Sequence, residues 1–330
     1  MMLPQIRQAP LYPGQFGVSG SDVQRGLRWA PTGIVLYVDE NHPGATAVGD
    51  GTNPEYPLTT ITQAITNLTN FATAMNVSLE GSVIVVANEA TIAETVTIPP
   101  TAPTNCTILG AGSTAHQPTW TAATDAGRAL TVRQEGWTIE GITFEAGAEG
   151  TSIRLEEVPG SDYIAYKTTI RNCRFDGLWG GLYGIDFYGA PHRVLVENCE
   201  FLEWRSVAGE AFAIYHSATP HDRSIQCQIL NNLFRSNENH IGNHANGFSG
   251  CLFSGNVFDQ NTYIATTVML DLRGATMHNI VTGNVFAGTY SNAGGYYDSV
   301  GVPGMWVGNM AEDVASPQVG DNGYTVAAPV

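Results

Sequence analysis

Positive charge is scarce in this chain. Lys and Arg number 14 against 30 Asp and Glu, a formal net charge of -16 over 330 residues. A surface of that sign repels phosphate backbones and anionic lipid, which argues against nucleic acid and membrane surfaces as partners. Charged residues of either sign reach only 13%, too few to solvate the outer faces of a helical bundle. No apolar run approaches the length of a membrane span. The opening MMLPQIRQAPLYPGQFGVSG lacks the apolar stretch that follows a basic start in a secretory signal, so the expectation is a chain made and folded in a cytoplasm. Cysteines number five, an odd count that does not fit a disulfide framework.

What is present is 43% hydrophobic residues and 37 glycines, enough to bury a large core in a fold rich in strands and tight turns. Residues 1–34 hold Pro, Gly and Gln without a period and read as an extended arm that gains order only on a partner. A strand, a Gly/Asn/Pro loop and a helix follow over 35–80. Thr60 and Gln63 have the spacing of a capping box, and Ile61, Ala64, Ile65, Leu68, Phe71, Ala72 and Met75 recur at helical intervals over 60–76. That apolar face has to cover something.

From residue 81 to 310 one phrase returns: WTIEGITF, TIRNCRF, LVENCEF, QILNNLF, LFSGNVF and IVTGNVF, closing on Phe144, Phe175, Phe201, Phe234, Phe258 and Phe286. The separations are 31, 26, 33, 24 and 28 residues, the variable spacing of solenoid coils with loops of different size. An apolar residue sits five before each Phe: Ile139, Ile170, Val196, Ile229, Phe253 and Val281. Both point inward only if the chain bends between them, because side chains alternate along a strand. Gly141, Asn172, Asn198, Asn231, Gly255 and Gly283, three before the Phe, tolerate the left-handed conformation such a bend needs. Asn232, Asn256 and Asn284 fill the next slot and are expected to bond up and down the stack. Cys173 and Cys199 hold that slot in earlier copies and read as small buried apolar groups. The fold expected is an all-β, right-handed parallel β-helix capped by the early helix, and residues from 311 onward form a tail expected to lie on a neighbouring subunit.

VDENHPGATAVGDGTNPEYPLTTITQAI, SVIVVANEATIAETVTI and CTILGAG, with the coil pattern after them, resemble right-handed parallel β-helix proteins of the pectate-lyase and pectinesterase type. The likeness spans 35–112 by phrase and 113–310 by pattern, and its residues are cap, corner and core. The catalytic sets of that group are missing. A pectinesterase-like site needs a Gln-Asp pair and a later Asp-Arg arrangement, of which Asp271 and Arg273 in LDLRG are a faint echo.

Register suggests another candidate. FDGLWGG and FLEWRS follow successive Phe corners and bring Asp176 and Glu203 together beside Trp179 and Trp204. Neighbouring coils hold equivalent positions about 5 Å apart, the carboxyl separation of retaining glycosidases, and indoles stack on sugars. The competing reading makes the two acids turn formers and the tryptophans interface residues. His216, His221, His240 and His244 match no metal-ligand spacing and read as polar loop residues; no metal or cofactor is expected. Two functions follow. One is a non-catalytic surface component of a bacteriophage particle, homotrimeric as the resemblance implies and docked on other virion proteins through its arm. The other is a polysaccharide-binding or polysaccharide-cleaving β-helix.

Overall fold

The computed structural model describes residues 33–113, 115–157, 165–206, 210–217, 223–243, 247–259, 268–287, 296–297 and 304–311. The expected arm, but for its last two residues, and the tail beyond 311 lie outside them. Among the described residues the phrase becomes the coil of a parallel β-solenoid, in which each coil adds a strand to each of three sheets. The first, second and third sheets hold ten, nine and eight strands. Thr169–Arg171 pairs in parallel with Leu195–Glu197 in the first, Arg174–Asp176 with Glu200–Leu202 in the second, and Tyr183–Tyr188 with Phe212–His216 in the third.

In-register pairing turns each slot of the phrase into a row. The closing aromatics stack from Trp120 through Phe144, Phe175, Phe201, Phe234 and Phe258 to Phe286, with centroids 4.7 to 5.4 Å apart. Such pairs add about 0.5–1.5 kcal/mol each beyond their area burial. The first sheet contributes Ile108, Ile139, Ile170, Val196, Ile229, Phe253 and Val281, all fully buried.

Ile170 and Phe175 both point inward although five residues apart, because Asn172 between them has φ 54°. Every expected corner residue from Gly141 to Gly283 shares that left-handed conformation. A second corner leads into the first sheet through Gly81, after the helix, and from the third sheet through Asn105, Gly136, Lys167, Arg193, Gln226 and Gly250, all with positive φ. It escapes notice in the sequence because Lys, Arg and Gln are not residues that favour this conformation.

The asparagines form the expected ladder. Asn232 Nδ2 donates to Asn256 Oδ1 at 3.0 Å, Asn256 Nδ2 to Asn284 Oδ1 at 3.0 Å, and Asn284 Nδ2 to Asn309 Oδ1 at 2.9 Å. Each Oδ1 also accepts the backbone N–H of the preceding Asn. Each Nδ2 donates as well to a carbonyl of the previous coil, such as Val196 O or Ile229 O. The amide thereby pairs backbone groups that the bend takes out of the sheet ladder. Cys173 and Cys199 do the same more weakly, their thiols donating to Ile139 O and Ile170 O at 3.6 and 3.7 Å. All five cysteines are free and buried. Burial and the neighbouring Cys173 push the Cys199 thiol well above its ordinary range, so it stays neutral and inert.

Helix α1 (Ile61–Met75) starts at Thr60, whose side chain accepts the Gln63 N–H. Glu94 accepts Ile61 N and Thr62 N, two more of the donors a helix start leaves unpaired. Ile61, Ala64, Ile65 and Leu68 are buried, in contact with Val35–Val38, Val83–Val86 and Val96–Ile98. Met75, expected on the same face, is exposed, since the helix stops at Asn76 with φ 48°. Beyond Phe286, MWVGNMA continues the coil: Trp306 pairs with Val281, Gly308 is a corner with φ 65° and Ala311 pairs with Phe286. The alanine in the aromatic slot disguises this copy.

Asn256→Ala removes two acceptor and two donor contacts at once and orphans buried backbone groups worth about 1–3 kcal/mol each. A loss of about 3 kcal/mol in denaturant unfolding is expected, with Cys199→Asn well tolerated because it extends the same ladder.

Candidate functional site

The carboxyl pair expected from register is not an equivalent pair. Asp176 lies opposite Leu202, which shifts Glu203 one position along, level with Gly177. Asp176 is held by its own turn: Arg174 Nη2 donates to Oδ2 at 3.0 Å and Leu178 N to Oδ1 at 3.1 Å. Glu203 is itself a corner residue with φ 57°, its carboxyl raised by partial burial and then by the nearby Asp176. Trp204 is fully buried, its Nε1 donating to Phe175 O at 3.4 Å, so it has no face open to a sugar. Its ring fills the space above Gly181 that any side chain there would occupy. Trp179 alone is exposed, at 42%, on a left-handed backbone with φ 61°.

His216 and His240 are core residues, contrary to the loop reading. His216 Nε2 accepts Ser224 N at 3.2 Å. His240 lies against the rings of both Phe234 and Phe258 and contacts Asn237 Nδ2 through Nδ1. Burial pushes its pKa down to about 3. His221 and His244 lie outside the described residues, and among those described no cluster of His, Cys, Asp or Glu could hold a metal ion. Asp271 and Arg273 form a bidentate ion pair with each other, the shortest contact 2.5 Å.

The polar chemistry gathers instead on the outer face of the third sheet. Leu130, Ile153, Ile185 and Ile214 form one of its inward rows; the next residues along, Thr131, Arg154, Asp186 and Tyr215, pair in sequence on the opposite face. Arg154 Nη2 meets Asp186 Oδ2 at 2.7 Å, and the Asp186 side chain is completely buried. Ser217 Oγ donates to the other oxygen. Burial raises the Asp186 pKa against the opposing pull of Arg154 and Ser217.

Arg154 keeps 14% of its side chain exposed, its guanidinium 4.3 Å from the centroid of the Tyr188 ring. Its Nε is buried without a hydrogen-bond partner. Arg128 stands close enough for Arg154 to lower its pKa, second only to burial as a cause. Arg133 grips Glu156 through Nε and Nη2 at 3.0 and 2.9 Å. Beside this group Tyr183, Tyr215 and Phe212 stack, with Tyr183–Tyr215 at 4.8 Å and Phe212–Tyr215 at 4.6 Å. Burial raises the pKa of both tyrosines, so their hydroxyls remain donors.

Two guanidiniums within electrostatic range of each other, with a stacked aromatic strip, make a surface for a polar ligand that carries negative charge. Asp186, Glu156 and Asp271 on this face are engaged by arginines, while exposed Glu210 lies near both tyrosines. Sequence reading missed the set because its members sit on three coils at irregular separations. The available signal was a run of charged and aromatic residues, RALTVR, TSIRLEE and YGIDFY, between apolar neighbours.

Arg154→Ala leaves Asp186 buried without its counter-charge and should cost about 3–5 kcal/mol in denaturant unfolding, whereas Arg154→Met with Asp186→Leu should recover most of that loss. His240 titrates in the opposite sense to a stabilising pair. Above about pH 6.5 it is neutral folded or unfolded; as pH falls from there toward its folded pKa of about 3, only the unfolded chain takes the proton. Stability should therefore drop by about 1.4 kcal/mol per pH unit from this residue. Comparing unfolding of wild type and His240→Gln from pH 7 to pH 4 isolates that slope.

No family model and no curated protein matches the chain. Among solved structures it is similar to a pectin methylesterase from Aspergillus niger, with 16% identity over 91% of this chain and 92% of that one, TM-score 0.48. An alginate lyase from Paenibacillus sp. gives 14% identity over 75% of this chain and 95% of that one, TM-score 0.47. A tailspike protein of an Acinetobacter baumannii bacteriophage, a capsular polysaccharide depolymerase, gives 12% identity over 85% of this chain and 59% of that one, TM-score 0.31.

Proposed function

We propose that this protein is a glycan-binding solenoid whose third sheet holds an anionic polysaccharide along Arg128, Arg154 and the stacked Tyr183 and Tyr215, which lie in two rows of that sheet. The observation that carries the reading is the Arg154–Asp186 pair. A fully buried carboxylate is costly to maintain, and here it fixes the guanidinium of a partly exposed arginine next to a second one. In a chain with 14 basic against 30 acidic residues, such a pairing of cations concentrates attraction where the rest of the surface repels. The aromatic strip supplies apolar faces for sugar rings. The arginine pairing of Asp186, Glu156 and Asp271 favours binding over hydrolysis, because a general acid or base has to reach the glycosidic oxygen.

The proposed setting is the surface of a bacteriophage particle. The Pro, Gly and Gln composition of residues 1–34 suits docking on other virion proteins, and exposed Leu178 and Trp179 suit contact with further copies in a homotrimer. Peptide mass spectrometry of purified particles, read as copies per major capsid protein, tests the setting, and finding none would overturn it.

Binding is read by isothermal titration against uronate-bearing and neutral polysaccharides. Arg128→Ala is expected to weaken binding of the acidic chains roughly tenfold, the loss of about one charge-assisted contact, and added salt should weaken the wild type too. Equal affinity for neutral chains, or no effect of Arg128→Ala, would sink the assignment.

A further inference from the structure

The binding face of the third sheet is electrically uneven along the solenoid. Arg128 and Arg154 stand on the neighbouring strands Arg128–Val132 and Thr151–Glu156, whereas the tyrosines follow on Tyr183–Tyr188 and Phe212–His216. Arg154, Asp186 and Tyr215 are successive members of one row, so Arg154 and Tyr215 are two coil steps apart, roughly 10 Å. After burial itself, what raises the Tyr215 pKa is the negative charge of Glu210, Asp186 and Asp271, in that order. Asp186 and Asp271 are answered by Arg154 and Arg273. Glu210 is exposed and has no ion-pair or hydrogen-bond partner among the described residues. One end of the face is therefore cationic, and the other carries an unanswered carboxylate.

The packing of the strip decides which part of Tyr215 is left for a ligand. Tyr183 stacks on its ring at 4.8 Å and 14°, and Phe212 at 4.6 Å and 25°. Gly242 pairs with Tyr215 on the next coil, and a Cβ there would run into the Phe212 ring. The missing side chain thus lets Phe212, itself buried, lean across that row and hold Tyr215 in the stack. With its ring committed to two neighbours, Tyr215 has its hydroxyl to offer. Neither its hydroxyl nor that of Tyr183 has a hydrogen-bond partner among the described residues, and both side chains are partly exposed. A phenol hydroxyl that stays protonated donates to a neutral sugar oxygen.

We infer that this face takes a mixed chain: an acidic sugar at Arg128 and Arg154, and an uncharged sugar at Tyr183 and Tyr215 whose hydroxyl or carbonyl oxygens accept from the two phenols. The inference rests on the reading of the third sheet as a glycan site and narrows its ligand. The class is an acidic heteropolysaccharide with its carboxylates spaced apart, rather than a polyuronate charged on every sugar. Glu210 is the discriminating residue, because a second carboxylate held at the tyrosines meets like charge there. Selection comes from repulsion at one end as much as from attraction at the other.

Isothermal titration of the full chain with two polymers tests this: hyaluronan, in which glucuronate alternates with N-acetylglucosamine, and polygalacturonate, charged on every sugar. Wild type is expected to bind hyaluronan more tightly. Glu210→Gln should strengthen polygalacturonate binding about threefold and narrow the gap, the effect of removing one exposed like charge. Tyr215→Phe, which keeps the ring and its stacking, should weaken hyaluronan binding about fivefold, the loss of one neutral hydrogen bond. Tighter binding of polygalacturonate by wild type would overturn the inference. So would polygalacturonate binding indifferent to Glu210→Gln, or hyaluronan binding indifferent to Tyr215→Phe. In each of those cases a loss on Arg128→Ala leaves the glycan site itself standing, whereas binding of neither polymer removes both readings together.

Discussion

In-register parallel stacking, one coil on the next at about 4.8 Å, is the constraint on which the rest of this structure depends. It makes the fate of a residue a property of its row. Phe175 meets Phe201 because both occupy the closing slot, and an interior row of rings stays filled only if nearly every coil supplies one. The bend between sheets is subject to the same rule. Once Asn172 turns the chain, Asn198 and Asn231 must turn it in the same place, and the amides of Asn232, Asn256 and Asn284 take up the backbone groups that the bend releases.

That rule also explains which parts were legible in the sequence. Interior rows and the Asn/Gly corner are written in residue types that few other environments favour, so the solenoid, its coil boundaries and the asparagine ladder could be read directly. The second corner could not, because at Lys167, Arg193 and Gln226 the stack imposes a left-handed backbone on residues that do not favour it. Tertiary pairing outweighs a local penalty of roughly 1–2 kcal/mol there. Trp204 was misplaced for a related reason. An indole after a corner looks like a platform, but the glycines at 177 and 181 leave room for it to fold into the core.

Sites are harder to read than folds in such a protein, because outward rows carry no obligation to repeat. Arg154, Asp186 and Tyr215 are consecutive members of one row, yet they differ in charge and size, and the loops between them vary in length. A single slip of register matters as much as residue type: moving Glu203 by one position changes it from a partner of Asp176 into a corner. The third sheet escapes this ambiguity in the structure because its inward neighbours, Ile153, Ile185 and Ile214, fix which face each intervening side chain takes.

The burial of Asp186 then has a physical meaning beyond stability. A solenoid wall is rigid along its axis but offers only side chains spaced by the coil repeat, and a long arginine on such a wall has many rotamers to lose when it binds. Tying Arg154 to a carboxylate on the next coil and laying it against Tyr188 removes that freedom before a ligand arrives. The cost of the buried charge falls on folding, where a continuous core of stacked aromatic and aliphatic rows offsets it, and the benefit falls on recognition. Rigidity along the stack, which the in-register pairing creates for the fold, is thus also what would hold the arginines of this face ready for the proposed anionic chain.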